Sequence, residues 1–310
     1  MANTNSPYTP EQIARVALSL VRGDLVLSRT VNRDYEAEFT GGVGFSVNVR
    51  KPATLTAREQ ELRGKNVSYG SGITTDRFSE TVVPVSLDKM IYSAIDVSDE
   101  DLTLNLEDFS GQVLAPQITA VAEGCENAVV AEMQSLTEDE DLSNAYDAEH
   151  PNKTFVAARK ALRDLRVPAS NLYAAVGTGV YADLLNSQAL RSVAESGSDD
   201  ALADATVGRL HGFTVIECNR LDDNEMIFYH RDAFTLAIRA PRVPEGVAFG
   251  ASVSADGFAM RYIRDYDSSL LADRSVVSTI IGTQAMTVVR QDDGSEVTPA
   301  IRVLAPETGS

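Results

Sequence analysis

The stretch LYAAVGTGVYADLL, residues 172–185, is the part of this chain that most resembles a site built for chemistry. A strand-like apolar run leads into Gly177-x-Gly179 and then into a helical pattern. Glycines at such a junction let a backbone approach a phosphate, with the helix N-terminus supplying free N–H donors. The third position of the G-x-G-x-x-G pattern is Ala182, which the pattern tolerates. The unit does not open a series of βαβ repeats, and no acidic residue closes a second strand about twenty residues on. A tight turn is therefore the simpler reading, with a nucleotide-dependent enzyme as the alternative.

The other reactive side chains are sparse. His150, His211 and His230 are the only histidines, and none pairs with another at metal-ligand spacing. Cys125 and Cys218 are the only cysteines, too few for a cysteine-built zinc cluster or a disulfide framework, and both read as reduced, buried thiols. The acidic run TEDEDLSNAYDAEHP, residues 137–151, lacks the D-x-D-x-D-G spacing of a calcium loop and reads as a solvated loop. Neither a G-x-S-x-G elbow nor a G-x-x-x-x-G-K-[ST] loop is present. The pattern predicts no catalytic residues, no metal and no cofactor.

Composition narrows the partners. The 310 residues carry 45 Asp and Glu against 27 Lys and Arg, a formal charge of −18. That balance opposes tight binding to nucleic acid, which needs cations against phosphates. No run approaches the ~18 apolar residues of a membrane span, and the N-terminus lacks the basic region of a secretory signal. The chain is expected to stay in the cytoplasm where it is made.

Several elements can be read from periodicity. Residues 10–28 predict a helix: Thr9 and Gln12 have capping-box spacing, Pro10 suits the first turn, and Ile13, Val16, Ala17, Leu20 and Val21 share a face. Val43, Phe45, Val47 and Val49 then alternate with small or polar residues, the period of a half-buried strand. Val83, Val85 and Leu87 repeat that alternation after about thirty mostly polar residues. The two runs predict a long hairpin that must pack on its own body or on a neighbour, because an isolated ribbon is marginal in water.

A long amphipathic segment follows. Asn105 is the expected N-cap, with Glu107 and Asp108 against the positive end of the helix dipole. Phe109, Val113, Ile118, Val121, Cys125, Ala128, Val129, Met133 and Leu136 form one apolar face. Pro116 lies too deep for the first turn of a helix starting there, so a break or kink is expected at that point. Beyond residue 153 the expected order is helix (KTFVAARKALRDLRV), strand (NLYAAVG), helix (GVYADLLNSQALRSV) and a strand in RLHGFTVIECNRL ending near Asn219. The last third reads as mostly β, with a turn at Asp293-Gly294.

The order of these pieces resembles the major capsid proteins of tailed bacteriophages with the Hong Kong 97-type fold, in the podovirus-type coat family. The residues that carry the resemblance are GGVGFSVNVRKPATLTA, VPVSLDKMIYSAIDVSDEDLTLNLEDFSGQVLAPQITAVAE, FYHRDAFTLAIRAP and FAMRYIRDYD. It implies an α+β fold with an N-terminal arm (1–40), an extended β loop (41–87) and a peripheral domain holding a spine helix (88–152). An axial domain (153–225) and strands returning to the peripheral domain with a C-terminal tail (226–310) would complete it. Glu107–Leu136 would be the spine, bent near its start by Pro116.

The resemblance further implies a shell subunit forming hexamers and pentamers, with Phe45, Val47, Val49, Val83, Val85 and Leu87 of the extended loop at the interface between copies. The implied partners are other copies of the chain, a separate scaffolding protein, a portal protein, a decoration protein, and packaged double-stranded DNA touched weakly and without specificity. The implied location is the virion capsid, with the host cytoplasm during assembly. A ring- or tube-forming phage protein outside the head is the remaining alternative.

Overall fold

The structure is a computed structural model that describes residues 26–35, 46–51, 81–100, 110–187, 208–247, 249–255, 258–269, 271–289 and 296–306. Residues 10–25 of the expected first helix, Val43 and Phe45, the polar part of the hairpin, Asn105 with its acidic neighbours and Phe109, and the Asp293-Gly294 turn lie outside these residues; the end of that expected helix, Leu27 and Ser28, is described as a 3-10 turn.

A short 3-10 turn, Leu27–Arg29, precedes the ribbon strands β1 (Ser46–Lys51) and β2 (Thr81–Ser86). Strand β3 (Lys89–Ser98) is followed by a π-helical turn, Ser110–Leu114, and helix α1 (Ala115–Gln134). Helices α2 (Glu140–Asn144) and α3 (Asn152–Asp164) lead to β4 (Leu172–Val176) and α4 (Thr178–Asn186). Strands β5 (Arg209–Leu210), β6 (Phe213–Glu217) and β7 (Glu225–His230) come next, then a 3-10 crossover, Arg231–Ala233, and β8 (Phe234–Arg239). The chain ends with β9 (Phe249–Ala255), β10 (Phe258–Asp267), β11 (Ala272–Ala285), β12 (Val288–Val289), β13 (Glu296–Val297) and β14 (Ala300–Leu304).

These strands make two five-stranded sheets. The first runs β3-β11-β10-β9, with β8 pairing the far end of β11 beyond β10. Strand β11 is 14 residues long, so one edge can serve β3 while the other serves β10 and β8 in turn. The second sheet runs β14-β7-β4-β6-β5, all antiparallel except β4 with β6.

Alternation along β7 and β4 explains why the second sheet is buried on both faces. Met226, Phe228, Leu172, Ala174 and Val176 point into a core closed by α3 and α4, where Phe155, Phe213 and Phe228 meet edge-on. Ile227, Tyr229 and Ala175 point the other way, into the larger core built around α1 and the first sheet. A strand buried on both sides reads as a continuous apolar run, which is what Met226–Tyr229 is.

Helix α1 lies at the centre of that larger core. Ile118, Val121, Cys125, Val129 and Met133 are buried on it and Val113 in the π turn before it, with Ala128 and Leu136 packed beside them, as the periodicity predicts. Each fully buried aliphatic side chain contributes roughly 1.5–3 kcal/mol relative to exposure. Pro116 marks a break, as expected: it sits in the first turn of the α-helix, where a missing N–H is tolerated. The residues before it, Ser110–Leu114, are wound as a π turn, so the discontinuity is a change of helix type at the proline.

Four further expectations change. RLHGFTVIECNRL is a hairpin of β5 and β6, closed by His211 (φ 47°) and Gly212 (φ 90°), two positive-φ residues suited to a two-residue turn. The acidic run 137–151 contains helix α2, capped by Asp139, whose carboxylate accepts from the Leu142 N–H at 3.1 Å. In the segment beyond Asn186 only Ser187 is described before residue 208, so the length predicted for the second helix is observed only up to Asn186. Finally, residue 225 does not divide the sheets: β7 and β14, on the far side of that boundary, complete the second one.

Candidate functional site

The Gly177-x-Gly179 turn has a specific occupant, and it is protein. Gly177 precedes α4 and donates its N–H to the Glu225 carbonyl at 2.8 Å. A Cβ on Gly177 would lie 1.9 Å from the Asp222 carbonyl oxygen, and one on Gly179 would lie 2.9 Å from that of Asp223. Val180 N–H donates to the Asp223 carbonyl at 3.0 Å, and Thr178 Oγ1 donates to the Asp223 carboxylate at 2.6 Å. The glycines therefore admit the loop between β6 and β7, and that loop takes helix-terminal donors a phosphate would need.

The cleft beside this turn is about 830 Å³ and is lined by Tyr146, Asp183, Asp222, Asp223 and Asn224 among others. Tyr146 donates to Asp183 at 2.8 Å, and burial, followed by that hydrogen bond, raises its hydroxyl pKa. An acidic lining repels phosphate rather than attracting it.

The histidines are apart from one another in role as well as in sequence. His150 is exposed on a surface turn with its Nδ1 2.9 Å from Asp147. Hydrogen bonds, above all from Lys153, hold the Asp147 carboxyl down at about 2. His211 forms the β5–β6 turn, where its carbonyl accepts from Arg159. His230 is buried, and its Nδ1 accepts the Asp232 backbone N–H at 3.2 Å, a local cap for the crossover turn. Cys125 and Cys218 are both free and buried; burial pushes the Cys125 thiol up to about 12 against the pull of Arg33, and raises Cys218 as well. No group of three or more His, Cys, Asp or Glu capable of holding a metal occurs among the described residues.

The ribbon has the register that alternation demands, Val47 opposite Val85 and Val49 opposite Val83. Val47, Val49, Val85 and Leu87 are all buried, clustered with Ala237 of β8 and Met286, while Val83 packs against the same cluster. The apolar face of the described part of the ribbon is thus consumed within the chain. Ser46, Asn48, Val82 and Pro84 face outward. Gly282 of β11 makes this docking possible, since a Cβ there would lie 2.0 Å from the Ser86 carbonyl.

Three polar anchors escaped the sequence reading. Glu126 on α1 is buried and accepts backbone N–H bonds from Val26, Leu27 and Ser28 at 3.0, 2.5 and 3.0 Å. Gln117, also buried, donates to the Ser93 and Ser275 carbonyls and accepts from Ser275 Oγ, clamping β3 and β11 to the helix. Glu225 accepts from Arg302 and Gln134 at the junction of β7, β14 and α1. A signal for the helix pair does exist: Gln117 and Glu126 sit on the i, i+4, i+8 lines Val113–Gln117–Val121 and Ala122–Glu126–Val130, where an exposed polar residue has no place.

No protein-family model and no curated protein sequence matches the chain. Solved structures do. The chain is similar to one from Mycobacterium phage Che8, with 18% identity, 92% of each chain covered and a TM-score of 0.62. It is similar to the capsid structure of the cyanophage P-SCSP1u, with 13% identity, 91% of this chain and 88% of that one covered, and a TM-score of 0.59. The mature capsid of bacteriophage PhiM1 matches at 13% identity over 86% of this chain and 84% of that one, with a TM-score of 0.56. The fold is therefore that of tailed-phage capsid subunits, the Hong Kong 97-type α+β fold. The likeness spans about nine-tenths of the chain.

Proposed function

We propose that this chain is a major capsid subunit of a tailed bacteriophage, which polymerises into hexamers and pentamers and closes an icosahedral head around double-stranded DNA. The observation that carries the reading is the likeness to capsid structures of P-SCSP1u and PhiM1 over 91% and 86% of the chain. The rest of the molecule is consistent with work done by shape. The Gly177-x-Gly179 turn is filled by the chain's own loop, the thiols are buried, and the histidines cap turns or face solvent.

Within this reading α1 is the spine, the β1–β2 ribbon is the root of the extended loop, and the two sheets form the peripheral and axial parts. Because Val47, Val49, Val85 and Leu87 serve the ribbon's own subunit, contact with neighbours falls to the outward residues of the ribbon and to the segment between Lys51 and Thr81. A separate scaffolding protein, a portal protein and a decoration protein are the expected partners. DNA contact is weak and salt-sensitive, because a charge of −18 leaves only local basic spots to meet phosphate. The protein's place is the virion capsid, reached from the host cytoplasm.

Negative-stain microscopy of the purified protein, alone and co-expressed with a scaffolding protein, tests the reading. Closed shells or capsomers are expected. Open tubes or rings would place the protein outside the head, and small compact particles under every condition would remove the assembly function.

A further inference from the structure

The segment Val26–Asp34 touches α1 and both sheets. At its start, the Glu126 carboxylate on α1 takes the N–H groups of Val26, Leu27 and Ser28. Thr30 Oγ1 then lies 2.5 Å from the hydroxyl of Tyr229, a fully buried residue of β7 in the second sheet. Asn32 bridges to β8 of the first sheet, its N–H donating to the Phe234 carbonyl and its carbonyl accepting from Leu236, each at 2.9 Å. The Asn32 side chain donates to Asp232 at 3.0 Å, and Arg231 pairs with Asp34 at 2.7 Å, so both also hold the crossover between the sheets. The Arg33 guanidinium stands 5.1 Å above the ring of Phe258 in β10.

We propose that Val26–Asp34 is a strap that sets the angle between the two sheets, with Glu126 as the positioning residue that latches its first turn. The carboxylate is otherwise misplaced, since an apolar residue would serve the helix face better at that position. It has instead taken three donors that a short 3-10 turn leaves without intrahelical partners. The arrangement has two states. Either the turn is docked with its donors satisfied, or it is withdrawn and the carboxylate is stranded in the core. Intermediate positions satisfy neither side, which makes the strap a switch rather than a soft spring.

The test needs only the unassembled subunit, so its outcome is separate from that of the shell reading. Spin labels at Tyr92→Cys on β3 and Val156→Cys on α3, both exposed, report the distance between the sheets. Hydrogen exchange reports the amides of residues 26–28. In Glu126→Gln those amides should exchange at least tenfold faster, and the label-to-label distance distribution should broaden or shift. Thr30→Val, which keeps the carboxylate and removes the anchor to Tyr229, should move the distribution in the same way and carries the test if Glu126→Gln does not fold. Unchanged exchange in Glu126→Gln would show that the carboxylate does not hold the turn. Faster exchange with an unchanged distance distribution in both variants would show that the strap does not set the angle. Either result overturns the proposal.

Discussion

Arg302 and Glu225 meet diagonally across the antiparallel strands β14 and β7: Arg302 Nε donates to Glu225 Oε1 at 2.6 Å, and the carboxylate is wholly inaccessible to solvent. Gln134 at the end of α1 donates to the other oxygen at 2.7 Å. Removing one member of such a pair strands a buried charge, which costs about 3–5 kcal/mol. Arg302→Leu should lower the urea midpoint accordingly. The double variant Arg302→Leu, Glu225→Leu should recover much of the loss, because the unpaired charge is gone. A double variant as unstable as the single one would show that the pair's role is not electrostatic.

The spine face should reject charge. Val121 has no exposed surface, at the contact of α1 with the larger core. Val121→Asp would bury an unpaired carboxylate at a cost of several kcal/mol, close to the ~5–15 kcal/mol that holds a typical domain together. The variant should be recovered insoluble or unfolded by circular dichroism. A soluble protein melting like the wild type would mean that this face is not packed as described.

Shortening the ribbon separates its two roles. Replacing Ala53–Glu80 with a Gly-Ser link retains β1, β2 and their buried residues Val47, Val49 and Val85. The subunit should melt near the wild-type temperature and fail to form closed shells. Normal shells would show the removed segment to be dispensable for assembly. Outright unfolding would show that it belongs to the subunit's own core.

Gly282→Ala probes the docking of the ribbon from the other side. The new methyl group collides with the Ser86 backbone, and overpacking of this kind typically costs about 1–3 kcal/mol. The loss should appear in thermal melting, with exchange accelerating first at residues 83–87 if the ribbon root separates from β11.

The thiols give a dependence on pH. The folded state holds the Cys125 proton up to about 12 rather than the usual 9.0, chiefly through burial. The folded state therefore binds more protons than the unfolded one between these values, and stability falls as pH rises through that window. Below the unfolded value the contribution is complete. The urea midpoint should drop less steeply with alkaline pH in Cys125→Ala than in the wild type, and a thiol reagent at about pH 8 should leave both native cysteines unmodified. Rapid labelling of the native protein would contradict the burial.

Periodicity alone determined the parts of this molecule whose environment is local. The apolar face running from Val113 through α1 to Met133, and the alternation of Val47 and Val49 with that of Val83 and Val85, follow from 3.6- and 2-residue repeats, because one buried stripe or face needs one repeat. The order of those parts also carried the likeness to phage capsid subunits. The identity of each buried partner depended on residues distant along the chain. Glu126 finds Val26–Ser28 about a hundred positions earlier, and Glu225 meets Arg302 77 positions later. Whether Gly177 faces a phosphate or the Asp222 carbonyl depends on where the β6–β7 loop closes. Whether the ribbon's valines face a neighbour or their own β8 depends on how Gly282 lets Ser86 approach. Backbone pairing and helix packing bring such residues together, and a single sequence holds no local record of either.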